Sequence, residues 1–175
     1  AGTPSIEEWL LSKLEESAKV AIDSKLFSPL EYNSLKQSLQ PLELIPVEDP
    51  FTILWKDRPQ LKANPIELMP ESISGASINE KCDKIVNKFS KVGEFAFIIS
   101  ACDQVMWLFN LRGSDIEYNA VALSYAVVTN NSKSIFIRRD ALTAEASQYL
   151  DNQGVNILEY STFESYLKTL DPSLT

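Results

Sequence analysis

Apolar positions at helical spacing open the chain. Ile6, Trp9, Leu10 and Leu14 share a face of residues 5–14 with Lys13, Ser5 precedes them as an N-cap, and Glu8 three residues on completes a capping box. The period then changes. Lys19-Val20-Ala21-Ile22-Asp23 reads as a short strand, Ser28-Pro29 opens a helix through Leu39, and Leu42 to Val47 reads as a second short strand. Helix, strand, helix, strand is an α/β pattern, yet two short strands are too few to cover the apolar faces of those helices. This part is expected either to dock on something else or to be the remainder of a larger domain.

From Asp49 to about Ser74, prolines at 50, 59, 65 and 70 interrupt regular structure, while Phe51, Ile53, Leu54 and Trp55 ask to be buried. The expectation is a packed connector in which residues 51–55 form a helical turn on a neighbouring surface and Lys56-Asp57-Arg58-Pro59 makes a polar exit. A second region begins at Ser77, where Ser77-Ile78-Asn79-Glu80 is another capping box. Ile78, Cys82, Ile85, Val86, Phe89 and Val92 then share one face, and Gly93 is the stop signal. Phe95 to Ser100 is nearly continuous in apolar residues, as a central strand covered on both faces would be. Asp103 to Leu108 reads as a short helix. Residues 122–129 and 134–138 flank Asn130-Asn131-Ser132-Lys133 as a β-hairpin. A helix through Ala144, Ala146, Tyr149 and Leu150 ends near Gly154, residues 155–160 give a further strand, and Ser161 to Leu170 a last helix opened by a Ser161–Glu164 box. A hairpin among helix-connected strands predicts an α/β region with a mixed sheet flanked by helices.

Between the short helix and the hairpin, Trp107-Leu108-Phe109-Asn110-Leu111 runs straight into Arg112-Gly113-Ser114-Asp115. The apolar half is expected to bury against the sheet. Gly113 is expected to take a positive φ, turning the chain so that Arg112 and Asp115 face outward on a charged tip. Two readings of Arg112 and Asp115 stay open: a functional pair with a defined direction, or a local arrangement in which they pair with each other or cap a backbone group.

Composition narrows the chemistry. A formal net charge of −8 argues against general nucleic-acid binding, which needs a clustered excess of Lys and Arg. No apolar run approaches the length of a membrane span, and residues 1–5 have no basic, apolar signal-peptide pattern, so a cytoplasmic protein is the expectation. The chain has no histidine, which excludes a self-contained Ser-His-Asp or Cys-His hydrolase and the usual His-containing zinc sites. Cys82 and Cys102 read as reduced, partly buried thiols. Glu7-Glu8 and Glu15-Glu16 read as solvated helix faces, and Arg138-Arg139-Asp140 as a solvated turn after an edge strand. Asp103 stands just beyond a strand's carboxyl end, where α/β sites gather, but is better explained as a cap or near-cap of the helix it opens. No phosphate loop, nucleophile elbow or complete catalytic set is present in the sequence.

Trp107-Leu108-Phe109-Asn110-Leu111-Arg112-Gly113-Ser114-Asp115-Ile116, with Asn119 and Ser124-Tyr125-Ala126 beyond it, resembles the signature in the second domain of three-domain, cytosolic-type Xaa-Pro aminopeptidases (aminopeptidase P). Upstream, Thr3-Pro4-Ser5 with Trp9-Leu10, Val20-Ala21-Ile22-Asp23, Leu44-Ile45-Pro46-Val47 and Ile53-Leu54-Trp55-Lys56-Asp57-Arg58-Pro59 are similar in order and spacing to the end of that family's first domain and its connector. The resemblance implies a creatinase/prolidase N-terminal-like fold. It places the end of a first such domain at residues 1–63, a connector at 64–76 and a second such domain at 77–175, with the catalytic "pita-bread" domain absent. It also implies a parent enzyme that removes the residue before proline, using two divalent metal ions, typically manganese, held by Asp, His and Glu. A chain without histidine cannot contain that centre, so this portion is expected to carry no metal and no catalytic residue. The implied partners are the missing catalytic domain, a peptide with proline at its second position and, in the full-length protein, a second copy in a homodimer. Within the resemblance, Arg112, Asp115, Asn110 and Gly113 are candidates for the substrate cleft or the interdomain face, with Asp115 holding Arg112. The competing class is a regulatory or scaffold homologue that uses the domain for protein contacts without peptidase activity.

Overall fold

The computed structural model describes residues 2–59, 64–89, 91 and 93–174. The chain divides into two compact units, Ala1–Gln60 and Leu61–Thr175. The expected boundary near Ala63 and the helix-face position Val92 lie outside the described residues.

In the first unit, helix α1 (Ile6–Lys13) is capped by Ser5, whose Oγ accepts from the Glu8 N–H at 3.1 Å while the Glu8 carboxylate accepts from the Ser5 N–H at 2.9 Å. Strand β1 (Lys19–Asp23), helix α2 (Pro29–Ser38) and strand β2 (Glu43–Val47) follow, and the two strands pair in parallel with Val20 opposite Leu44. Ser28 and Glu31 form the second capping box. Two strands and two helices bury little: Leu39, Leu42 and Leu44 form the centre, with Leu10, Val20, Ile22 and Leu35 packed partly against them. Helix α3 (Phe51–Leu54) forms as expected, but Phe51, Ile53, Leu54 and Trp55 are exposed rather than lying on a surface. Arg58 bonds the Asp49 carboxylate at 2.6 Å and holds that carboxyl below the usual range, helped by the Phe51 N–H. It also lies over the Trp55 ring.

The second unit holds the main core. Its elements are β3 (Glu67–Leu68), α4 (Glu71–Ser74), α5 (Ile78–Phe89), β4 (Ala96–Ile99), α6 (Cys102–Leu108), β5 (Leu111–Arg112), β6 (Ser124–Thr129), β7 (Lys133–Ile137), α7 (Ala144–Asn152), β8 (Asn156–Glu159) and α8 (Phe163–Leu167). Four strands make one mixed sheet in the order β4-β6-β7-β8, antiparallel except for the parallel β7–β8 pair that the α7 crossover makes available. One face carries Ala126, Val128, Ile135 and Ile137 into a core with Ile78, Cys82, Val105, Met106, Phe109 and Leu150. On the other face, Phe136 meets Phe163 and Tyr166 edge-on, and Tyr125 stacks on Phe163 with ring centroids 4.0 Å apart.

Three local expectations change. β4 is an edge strand, with Ile98 46% exposed, and the strands buried on both faces are β6 and β7. Ser161 is no cap, because a 3-10 turn over Tyr160–Thr162 runs directly into α8, and Glu164 instead pairs with Lys168. Residues 64–76, expected as a connector, pack within the second unit. Ile66 is buried and its N–H donates to the Ala141 carbonyl at 2.8 Å, and β3 pairs with β5. Pro65 and Pro70 bound this short strand without entering its ladder.

Candidate functional site

The segment leaving α6 shows how an apolar helix end becomes a polar surface. Val105, Met106, Leu108 and Phe109 face the core and are buried, whereas Trp107 on the outer side is 58% exposed. The helix stops at Asn110, whose φ of 54° puts it in the left-handed region, where Asn is among the few residues commonly found. Every polar function of its side chain is used. Nδ2 donates to the Ala76 carbonyl and to the Tyr149 hydroxyl, each at 3.0 Å, and Oδ1 accepts from the Lys81 ammonium.

Lys81 is the chain's unusual group. It is only 2% exposed, its Nζ donates to the Trp107 carbonyl at 2.7 Å, and the ammonium lies 4.5 Å from the centre of the Trp107 ring. Burial pushes this ammonium below the ordinary lysine range, with the Glu71 carboxylate acting in the opposite sense. Glu71 in turn accepts from the Tyr149 hydroxyl at 2.7 Å, and burial followed by this bond pushes that hydroxyl up. Glu71, Tyr149, Asn110, Lys81 and Trp107 thus form one network linking α4, α5, α6 and α7.

β5 starts at the next residue. The Asn110 carbonyl accepts from the Met69 N–H at 2.7 Å, Leu111 pairs with Leu68, and Arg112 stands opposite Glu67. Leu111 is buried, so the alternation of the strand puts Arg112 outward, as expected. Among the described residues no carboxylate comes within ion-pair distance of Arg112.

Gly113 and Asp115 act differently from expectation. Gly113 has no positive φ, and its lack of a side chain matters for close approach: a Cβ there would stand 2.7 Å from the Ala122 Cβ and 2.8 Å from its nitrogen. The left-handed residues of this segment are Asn110 and Tyr118. Asp115 does not hold Arg112. Its carboxylate turns back to accept from the Leu123 N–H at 2.9 Å, while its own N–H donates to the Val121 carbonyl, which is the backbone-capping alternative. The outward tip is therefore residues 116–119, closed by the Asn119 N–H on the Ile116 carbonyl and led by Tyr118. Asn64 fastens the other side, donating to the Ser114 carbonyl at 2.9 Å.

These elements line an open cavity of about 460 Å³ whose wall includes Ile73, Asp103, Trp107, Arg112, Asn119 and Val121. Of the four residues singled out from sequence, Asn110 and Arg112 line it, and among the described residues no carboxylate lies within ion-pair distance of Arg112. Asp103 lies in the first turn of α6 rather than at its cap, which is Ala101. Lys81, Glu71 and Tyr149 were missed. A signal for Lys81 existed, since it lies three residues after Ile78 and four before Ile85, inside the apolar stripe of α5. Cys82 is buried and its thiol is pushed up to about 11, and Cys102 is partly buried, both being free thiols. An indole wall, a guanidinium and apolar sides can bind and orient an acceptor. Among the described residues no group of three or more Cys, Asp or Glu side chains is arranged to hold a metal ion. No helix among them is long and apolar enough to cross a membrane.

Comparison with known proteins gives this geometry a family. The chain is 37% identical over 181 residues to a probable Xaa-Pro aminopeptidase P of Coprinopsis cinerea, covering 99% of this chain and 29% of that protein. It is 34% identical to Xaa-Pro aminopeptidase 1 of Dictyostelium discoideum, covering 97% of this chain and 29% of that protein. Among solved structures, the cytosolic X-prolyl aminopeptidase of Caenorhabditis elegans, an enzyme with a dinuclear active site, superposes with a TM-score of 0.77 at 26% identity, over 95% of this chain and 28% of that one. The chain therefore spans less than a third of the length of these relatives. Residues 57–174 match the creatinase/prolidase N-terminal domain, and the chain belongs to that family.

Proposed function

We propose that the chain is the non-catalytic N-terminal portion of a metal-dependent Xaa-Pro aminopeptidase, and that its second unit helps wall the peptide cleft beside a catalytic domain. The observation that carries this reading is Arg112, an exposed cation on a backbone fixed by the β3–β5 pair, at the wall of a cavity faced by Trp107. The names of the relatives and the C. elegans dinuclear site support the activity and two metal ions, for which manganese is the proposed identity. The metal chemistry belongs to residues outside this chain. A cytoplasmic location and self-association of the longer protein are parts of the same reading. Arg112 either orients substrate or reaches acceptors on the catalytic domain.

The test is Arg112→Ala in the longer enzyme. The expected result is a fall in kcat/KM on an Xaa-Pro peptide of about tenfold, or ~1.4 kcal/mol of transition-state stabilisation, with no change in thermal midpoint. Unchanged kinetics at unchanged stability would sink the role of Arg112. The 175-residue chain alone, given manganese and the same peptide, is expected to show no turnover.

A further inference from the structure

A nearly fully buried ammonium with no carboxylate in ion-pair distance among the described residues is a costly way to fill space, because an apolar side chain of similar length would pack there without desolvating a charge. Its three acceptors all belong to the end of α6: the Trp107 carbonyl, the Asn110 amide oxygen and the face of the Trp107 ring. A cation suits that position, since the last carbonyls of a helix are short of donors and carry its partial negative charge. Asn110 is the residue at which helix becomes strand, in a backbone conformation that L residues avoid, and its carbonyl already serves β3 through Met69. Whatever fixes Asn110 therefore fixes the angle at which Arg112 leaves the core.

We propose that Lys81 is a positioning residue that acts through Asn110, holding it left-handed so that β5 is registered against β3 and the Trp107 indole and the Arg112 guanidinium keep a fixed mutual orientation. The functional value of that orientation rests on the cleft reading above, whereas the positioning itself is measurable in this chain without any enzymatic assay. Ala76 and Tyr149 complete the clamp from the other side of Asn110, and Glu71 holds the Tyr149 hydroxyl, so that four helices converge on one backbone torsion.

The experiment uses the whole chain with the exposed Trp9 and Trp55 changed to Phe, which leaves Trp107 as the sole indole. Lys81→Met keeps length and apolar bulk and removes the charge. The expected result is a loss of at least half of the near-ultraviolet circular dichroism of Trp107. Amide exchange at Met69 and Arg112 is expected to quicken tenfold or more, while amides of β6 and β7 are unchanged. Asn110→Gly supplies the second arm, because glycine adopts the left-handed conformation unaided. In that background the further change Lys81→Met is expected to alter exchange at these amides by less than twofold. Unchanged exchange in Lys81→Met alone, or an equal effect of Lys81→Met with and without Asn110, would overturn the proposal and leave Lys81 as packing. If Lys81→Met does not fold, Asn110→Ala takes its place: selective loss of protection at the same amides supports the clamp, and protection equal to the parent chain overturns it. Loss of β5 protection with kcat/KM preserved in the longer enzyme would support Lys81 as positioning residue and overturn the cleft reading instead.

Discussion

Gly113 serves close packing against Ala122 rather than the sharp turn its neighbours suggest. A glycine between Arg112 and Ser114 suggested a positive φ, which is glycine's commonest use, but the chain turns at Asn110 and Tyr118, and Gly113 lets the Ala122 backbone pass close by. Sequence distinguishes poorly between these uses, because close approach is set by a residue nine positions away. The consequence is measurable. Gly113→Ala should lower stability by about 1–3 kcal/mol through overpacking. Adding Ala122→Gly should recover only part of the loss, since the Ala122 nitrogen and Cα also stand within 3.0 Å of the added carbon. Equilibrium urea unfolding of the single and double variants checks both halves, and a neutral Gly113→Ala would show that the loop yields freely. Asn110 and Asp115 follow the same logic. Their residue types are plain in the sequence, but the bonds to Lys81 and Leu123 that consume them are tertiary and leave no mark in local spacing.

At the scale of elements, hydrophobic period and capping chemistry carried most of the information. Ser5–Glu8, Ser28–Glu31 and Ser77–Glu80 all close as reciprocal capping boxes, because each is followed at once by a helix with an apolar face to bury. Ser161–Glu164 has the same letters and no such bond. There the chain must bring Phe163 and Tyr166 under Phe136, and it does so by passing from β8 through a 3-10 turn into α8, which leaves no N-cap position for Ser161. Tertiary packing overrides a local motif where the aromatic contact is worth more than the cap. Ser77→Ala is accordingly expected to cost about 1 kcal/mol and Ser161→Ala less than about 0.5 kcal/mol. Thermal unfolding of the two variants side by side separates them, and equal losses would contradict this account of α8. The position of β4 was similarly hidden. A continuous apolar run fits a central strand or an edge strand packed by flanking aromatics, and Phe97 stacked on Phe89 makes it the latter.

At the scale of the molecule, the two units differ in what they can bury, and the strand count in the sequence already foretold it. Among the described residues the first unit buries Leu39, Leu42 and Leu44 around one parallel strand pair, and leaves Trp9 52% and Trp55 48% exposed together with Ile6, Leu26, Leu30 and the apolar side chains of α3. An apolar groove of about 700 Å³ along Ile6, Leu10, Ile22, Leu30 and Leu35 remains open within it. The second unit surrounds a four-stranded sheet with apolar layers on both faces. Since burial of apolar surface contributes about 25 cal/mol per Å² and a unit this small has little to set against chain entropy, the first unit should be the weaker by several kcal/mol. Unfolding of the chain is then expected to be non-two-state. Described amides of residues 2–59 should exchange through openings of about 3 kcal/mol or less, while the cores of β6 and β7 exchange only through global unfolding of their own unit. Urea titration followed at Trp9 and Trp55 should precede that followed at Trp107 by about 1 M or more, given the m-values of small domains. Coincident transitions by both probes would mean that the first unit draws its stability from the second, and would contradict an account in which its open apolar groove leaves it marginal on its own.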